Sequence, residues 1–368
     1  MIMEFSCSKD LILENISIVS KAVSQKGATP EAECFYLKAE NDYLTVMGNN
    51  GEISIKTRFE TDIKSEGAIL VKAKTFFDIV RLMEDGNIKI SVSDNYITKI
   101  ENTSTFYEIM GLDVKGFPST EFCEPECTLY IFQKDLKEAI RKTNFSIGTE
   151  EKKATFSGAL FEVQDGYLKV VTLDGYRMSI VKKKIECDSK YKSYIVPGKS
   201  LNELFKILDD TDEKMKIEFS DRGAFIKIEK FEFFTRLIDG DFFNYEQIIP
   251  KKSSIEAIID RKKLGSSMER CSLLITPDSR EPVKMTFKDN VVEMETVSRI
   301  GKIEDTVEIK KTGNDIEIGF NYKYILDILK SLEEDYLSLN FTTNLSPCIV
   351  KSLENDDYLY LVLPVRLK

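Results

Sequence analysis

Lys74, Asp78 and Arg81 stand four and three residues apart, and the same order of base, acid and base returns as Lys199, Glu203, Lys206 and again as Lys323, Asp327, Lys330. The leading lysines are separated by 125 and then 124 residues, so the 368-residue chain divides into three units of nearly equal length. Residues spaced by four and seven share one face of a helix, which sets a net-positive stripe opposite an apolar one. The chemistry of such a stripe is electrostatic: it attracts anions and transfers nothing. One helix with lysine on its wet face is ordinary. A register kept through three units makes the repeat the organising feature of the chain.

Residues that could perform covalent chemistry are scarce. The chain has no histidine, which removes Ser-His-Asp and Cys-His nucleophile systems, HExxH metal sites and any imidazole proton shuttle. No phosphate-binding GxxxxGK[ST] loop appears, and no GxGxxG leads from a strand into a helix. The 62 acidic residues make chance carboxylate pairs common, and nothing singles out one pair. Seven cysteines, at 7, 34, 123, 127, 187, 271 and 348, are scattered and odd in number. Cys123 and Cys127 form CEPEC, but no second pair completes a metal site. They read as reduced, structural thiols of a cytoplasmic protein. No catalytic residue, metal or cofactor is expected.

The elements that position the stripes follow from periodicity. At 42% hydrophobic the chain can bury several cores. No apolar run approaches the ~20 residues of a membrane span, and the first residues lack the basic and apolar regions of a signal peptide. Helices are predicted over 8–23, 72–83, 134–143, 199–208, 260–270 and 321–331, carrying charges of 0, +2, +2, +1, +2 and +1. The whole chain is at −10, so +8 on the helices leaves −18 elsewhere. That segregation suits a protein attracting a polyanion on one surface and repelling it on others; lysine's helix propensity is the competing explanation. Alternating strands read over 43–47, 88–92, 168–172, 215–219 and 358–363, with turns at NNG (49–51), SDN (93–95), QDG (164–166), SDRG (220–223) and KTGN (311–314) between elements. Each unit is then helix, strands, helix, strands: an α+β architecture with helices on antiparallel sheets. The domain boundaries are placed at 1–127, 128–252 and 253–368, with linkers at 122–127 and 249–254. Three units with helices on a common side would form an arc with a basic concave wall, and two arcs would close by twofold symmetry.

Two further segments stand out. Asp174-Gly175 ends a strand and presents Tyr176, Arg177 and Met178; a hairpin turn explains it locally. The C-terminal YLYLVLPVRLK, residues 358–368, holds Pro364 near a strand end, which suits an edge strand, although a last core strand fits too.

These residues resemble the bacterial sliding-clamp family, the β subunit of DNA polymerase III. DGYR at 174–177, IGFNYKYILDIL at 318–329 and LPVRL at 363–367 are the most specific matches. FSGALFE at 156–162 and LIDGDFFNYEQIIP at 237–250 add to them, over essentially the whole chain. The resemblance implies a head-to-tail homodimer forming a ring of six clamp-fold domains. Twelve helices would line a hole for double-stranded DNA, bound without sequence preference. It implies a processivity factor with no enzymatic activity, tethering DNA polymerase and clamp-loader subunits through short linear motifs, with no membrane partner.

On this resemblance, Lys74, Arg81, Lys137, Arg141, Lys199, Lys206, Lys263, Lys323 and Lys330 are expected to face DNA from helices, and Lys26 and Lys153 from loops. The partner-peptide pocket is expected at Phe156, Leu173, Gly175, Tyr176, Arg177, Met178, Phe243, Gln247, Ile248, Leu363, Pro364, Val365 and Arg366, with Asn321 and Tyr324 on its rim. Tyr176 stands where the family has His, Leu173 for Thr, Phe243 for Pro and Gln247 for a base, which makes the pocket more aromatic and less cationic. Tyr107, Leu273 and Leu274 match dimer-interface positions, with ordinary helix core competing for the two leucines. Two other readings stay open at this point. One is an enzyme using a carboxylate pair on a repeated scaffold, and the other is a clamp-like paralogue or non-catalytic DNA-binding ring with altered partners.

Overall fold

The computed structural model describes residues 3–24, 29–118, 124–149, 153–187, 191–276 and 281–367. Lys26 and Cys123 lie outside them. Among the described residues six α-helices stand where the apolar periodicity predicts them: α1 (Lys9–Val19), α2 (Ala73–Leu82), α3 (Gln133–Thr143), α4 (Gly198–Ile207), α5 (Arg261–Ser272) and α6 (Tyr322–Ser331). The first ends four residues early. Ser17 and Ser20 donate to the carbonyls of Leu13 and Ser17 at 2.6 and 2.7 Å, a back-bonding that weakens the α-helical ladder, and the chain tightens into a 3-10 turn over Ser20–Ala22. Starts are set by side-chain caps: Ser8, Asp260 and Asn321 accept from the amides of Leu11, Lys263 and Lys323.

The threefold repeat is carried by pairing register. In each third the first strand pairs antiparallel with the strand that follows the second helix. The last residue of one faces the first residue of the other, as Ser8 opposite Asn87, Phe132 opposite Lys214 and Asp260 opposite Tyr336. Each first strand runs directly into a helix, so this register fixes where the first and second helices of each third begin and end. Their apolar faces are buried as expected, through Phe76, Ile79, Val80 and Met83 in and after α2, Leu201, Leu204 and Leu208 in and after α4, and Ile325, Ile328 and Leu329 in α6.

By packing, the chain forms two compact bodies, residues 1–133 with 199–237, and 134–198 with 238–368. In the first, one antiparallel ladder passes from central-third strands to N-terminal ones where Glu232–Arg236 pairs with Ile53–Glu60. In the second, Arg177–Lys184 pairs with Tyr358–Val362 in the same manner. Tyr358–Val362 is therefore no edge: it also pairs with Cys348–Lys351, and Tyr360 is fully buried. Pro364 breaks nothing because the strand stops before it. Beyond the strand, the Val365 amide still donates to the Gly319 carbonyl at 2.8 Å. No helix among the described residues is long and apolar enough to cross a membrane.

Candidate peptide pocket, open strand edges and basic helix faces

The pocket begins with a tight turn. Leu173 and Met178 face each other at the end of a hairpin, and Gly175 between them has φ of +90°, which glycine adopts without strain. Asp174 accepts from the amides of Tyr176 and Arg177 at 2.9 and 3.0 Å. The turn reading of this segment holds, and the turn throws Tyr176 outward, where it is 52% exposed.

Behind it lies a recess of about 510 Å³. Its floor is the buried core of Leu173, Met178 and Leu361, and its walls include Phe156, Tyr176, Phe243, Ile248, Pro347 and Leu363. Gly175 and Arg177 also line it, as expected. Pro347 and Leu361 were not anticipated; Leu361 shares the two-residue alternation of Leu363, whereas the loop bearing Pro347 carries no periodic signal. Gln247, Pro364, Val365 and Arg366 do not line the recess. Asn321 caps α6, and Tyr324 stacks on Tyr176 with ring centroids 6.3 Å apart and planes 20° from parallel.

Arg177 lines the recess without offering it a free cation. Its Nε donates to Asp174 at 3.0 Å, its Nη1 to Asp327 at 2.6 Å and its Nη2 to the Phe145 carbonyl. The guanidinium lies 5.3 Å from the Phe145 ring and 4.6 Å from the Tyr324 ring. The acid of the third charge stripe thus faces the pocket hairpin, whereas Asp78 and Glu203 pair with Arg81 and Lys206 on their own helices at 2.9 and 2.7 Å. Lys153 is at the pocket too: its Nζ donates to the Asp241 carbonyl at 3.3 Å and lies 5.6 Å from the Phe156 ring.

The equivalent joint in the first body repeats the backbone and changes the side chains. Asn50 accepts from the amides of Glu52 and Ile53, as Asp174 does from Tyr176 and Arg177, and Gly51 also has φ of +90°. The Arg236 amide donates to the Glu52 carbonyl at 3.0 Å, as Leu363 does to Tyr176 at 2.9 Å. At the positions of Leu173 and Met178, however, stand Asn49 and Ser54, both buried, with Asn49 donating to the Pro118 carbonyl at 3.0 Å. Polar groups stand at this joint where the second body has its apolar floor.

Among the described residues Phe106–Leu112 and Gly301–Thr312 each leave part of a hydrogen-bonding edge open, as do the terminal strands Asp62–Ser65 and Tyr191–Pro197 of their sheets. Phe106–Leu112 pairs along 106–110 with Ile97–Glu101 alone, and Phe106, Tyr107 and Met110 are exposed beside it. Gly301–Thr312 pairs along 301–308 with Val291–Ser298 alone. Near it Ile300 is exposed, and Leu273, just past α5, is 77% exposed. Helix core is thereby excluded for Leu273; Leu274 is half-buried.

The basic candidates differ in exposure and in pairing. Lys74, Lys199, Lys206, Lys263, Lys323, Lys330 and Arg81 are exposed, and Lys137 and Arg141 are half-buried. Lys263 pairs with Glu308 at 3.4 Å, Lys330 with Glu269 at 3.5 Å and Arg141 with Glu333 at 2.8 Å. The excess of +8 is thus partly committed within the chain. Such exposed pairs are worth about 0–1 kcal/mol, so competing phosphates can displace them.

No cluster among the described residues has the ligands to hold a metal. Burial raises the Cys7 thiol to about 12 and, with Glu31 and Glu33 adding to it, Cys34 to about 11. These are inert thiols.

Comparison with known proteins places the whole chain. Residues 3–121, 130–244 and 246–366 match the N-terminal, central and C-terminal domains of the DNA polymerase III beta subunit. The beta sliding clamp of Halalkalibacterium halodurans is 30% identical, over 99% of this chain and all of that relative. The DNA polymerase sliding clamp of Bacillus subtilis superposes with a TM-score of 0.96 at 28% identity, over all of both chains. A putative DNA polymerase III beta subunit from Eubacterium rectale gives 0.94 at 31%, over 99% of each. With three clamp domains in order and the clamp fold throughout, the chain belongs to the DNA polymerase III beta subunit family of sliding clamps.

Proposed function

We propose that two copies of this chain join head to tail into a closed ring around duplex DNA. The recess at 173–178 and 361–363 then tethers the replicative polymerase, clamp-loader subunits and other DNA enzymes by short linear segments. The protein is a processivity factor, a mobile tether without catalysis of its own, acting in the bacterial cytoplasm. Its domains run 1–127, 128–252 and 253–368.

The observation that carries the ring is a pair of open strand edges with exposed apolar residues beside them. Monomeric proteins blunt such edges with charge, proline or short strands. Here one edge carries exposed Phe106, Tyr107 and Met110, and the other begins just after exposed Ile300, with Leu274 against Gly301. Head-to-tail pairing consumes both edges in each copy, and two copies close the cycle. The helix lysines would then hold phosphates without reading bases, since phosphate contacts carry no sequence information. Loose, water-mediated contacts let the duplex move. In the recess, two or three apolar anchors at about 1.5–3 kcal/mol each, less ordering costs, give exchangeable partners. Light scattering tests closure: the expected mass is twice the 42.2 kDa of the chain. A monomer at tens of micromolar would overturn the ring.

A further inference from the structure

Pro347, which walls the recess, also walls a second and smaller cleft of about 60 Å³. Ile248 lines the recess, and its neighbour Ile249 lines the cleft. On paired strands, Ile349 stands opposite Leu361 and Lys351 opposite Leu359, so cleft and recess floor share one face of the sheet. The two cavities are successive stations along one surface.

The cleft differs from the recess in charge. Lys251, Lys252 and Lys351 all line it, all are exposed, and none forms an ion pair among the described residues. Glu256, opposite the cleft residue Asn340 on a paired strand, accepts from the Ser338 hydroxyl at 2.7 Å. Glu354, Asp356 and Asp357 in the adjoining turn pair with none of the three lysines. In a chain of net charge −10, three uncommitted ammonium groups around one recess call for an anion. A volume of about 60 Å³ admits a carboxylate-sized group, since a water's share of liquid is about 30 Å³. It is too small for a nucleotide.

We propose that a peptide seated in the apolar recess continues past Pro347 and sets aspartate or glutamate side chains against Lys251, Lys252 and Lys351. Clients of this clamp therefore carry acidic residues flanking their apolar anchors. The inference rests on the peptide reading of the recess. Charge so placed steers encounter and fixes the direction of the bound segment. Exposed pairs contribute little each, so three of them give a preference of about fivefold.

The test uses labelled synthetic peptides sharing one leucine–phenylalanine anchor, extended at either end by three glutamates, glutamines or lysines. Binding to the intact dimer is read by fluorescence anisotropy at low and high salt. The glutamate tail at one end should bind about fivefold tighter than the glutamine tail at low salt. That gain should vanish at high salt and in the Lys251→Gln/Lys252→Gln/Lys351→Gln variant, which should bind the glutamine peptide as wild type does. Equal binding of glutamate and glutamine tails to wild type overturns the acidic extension and leaves the recess standing. Failure of every peptide to bind overturns both. If the triple variant instead weakens duplex retention with peptide affinities unchanged, the lysines are a nucleic-acid contact and the proposal falls.

Discussion

Replacing Arg177 by glutamine removes the one charge that ties the pocket hairpin to α6. The guanidinium donates to Asp174, Asp327 and the Phe145 carbonyl and packs against Tyr324, with its side chain 10% exposed. Deleting one member of a buried pair costs about 3–5 kcal/mol. Asp327 is 39% exposed, so water resumes part of its solvation, and the expected loss is about 2–3 kcal/mol. In a body of roughly 200 residues, 1 kcal/mol moves Tm by about 2–4 °C, so the drop is about 4–12 °C. Far-ultraviolet circular dichroism suits the measurement because the chain has no tryptophan. Peptide affinity should fall with stability, because Tyr176 and Tyr324 are held stacked across this link. Asp327→Asn keeps an acceptor for Nη1 and should cost about half as much. A glutamine variant that melts within about 1 °C of wild type and binds peptide equally would refute the linkage.

Other expectations follow from single features. Leu363→Asp puts a carboxylate on the recess wall at an exposed position, and calorimetry should show peptide binding abolished with Tm unchanged; Met178→Asp would instead unfold the core, since Met178 is 1% exposed. The combined Lys74→Glu/Lys199→Glu/Lys323→Glu variant should keep its dimer mass. Its slope of log affinity for duplex DNA against log salt should fall by about 0.9 for every phosphate the protein no longer neutralises, and an unchanged slope would remove these helices from the DNA path. With its thiol raised to about 11 by burial, Cys34 holds about 0.1% thiolate at pH 8. Its alkylation in the folded protein, mapped by mass spectrometry, should rise tenfold per pH unit towards that value and lag behind the half-buried Cys187.

Much of this was legible in the sequence because it is periodic. Six helices, the threefold spacing and the buried faces of α2, α4 and α6 follow from apolar positions at helical intervals. The hairpin at Asp174 announced itself by Asp-Gly. What stayed hidden depends on partners distant in the chain. Nothing near Asp327 says that it pairs with Arg177, 150 residues away. Pro364 argued for an edge, yet it falls beyond the last strand residue, so the strand is central. Open edges are properties of pairing, not of composition, and neither Phe106, Met110 nor Ile300 carries a mark that separates it from a core residue. The charge count overstated the free cations because ion pairs with Glu308, Glu269 and Glu333 are invisible along the chain.

Retention on nicked circular duplex DNA, followed by linearisation, tests the ring most directly. After loading, the protein should stay bound through a high-salt wash and leave when the circle is cut, because a closed ring is held by topology and slides off a free end. Equal retention on circle and line, or release from the uncut circle in salt, would contradict encirclement.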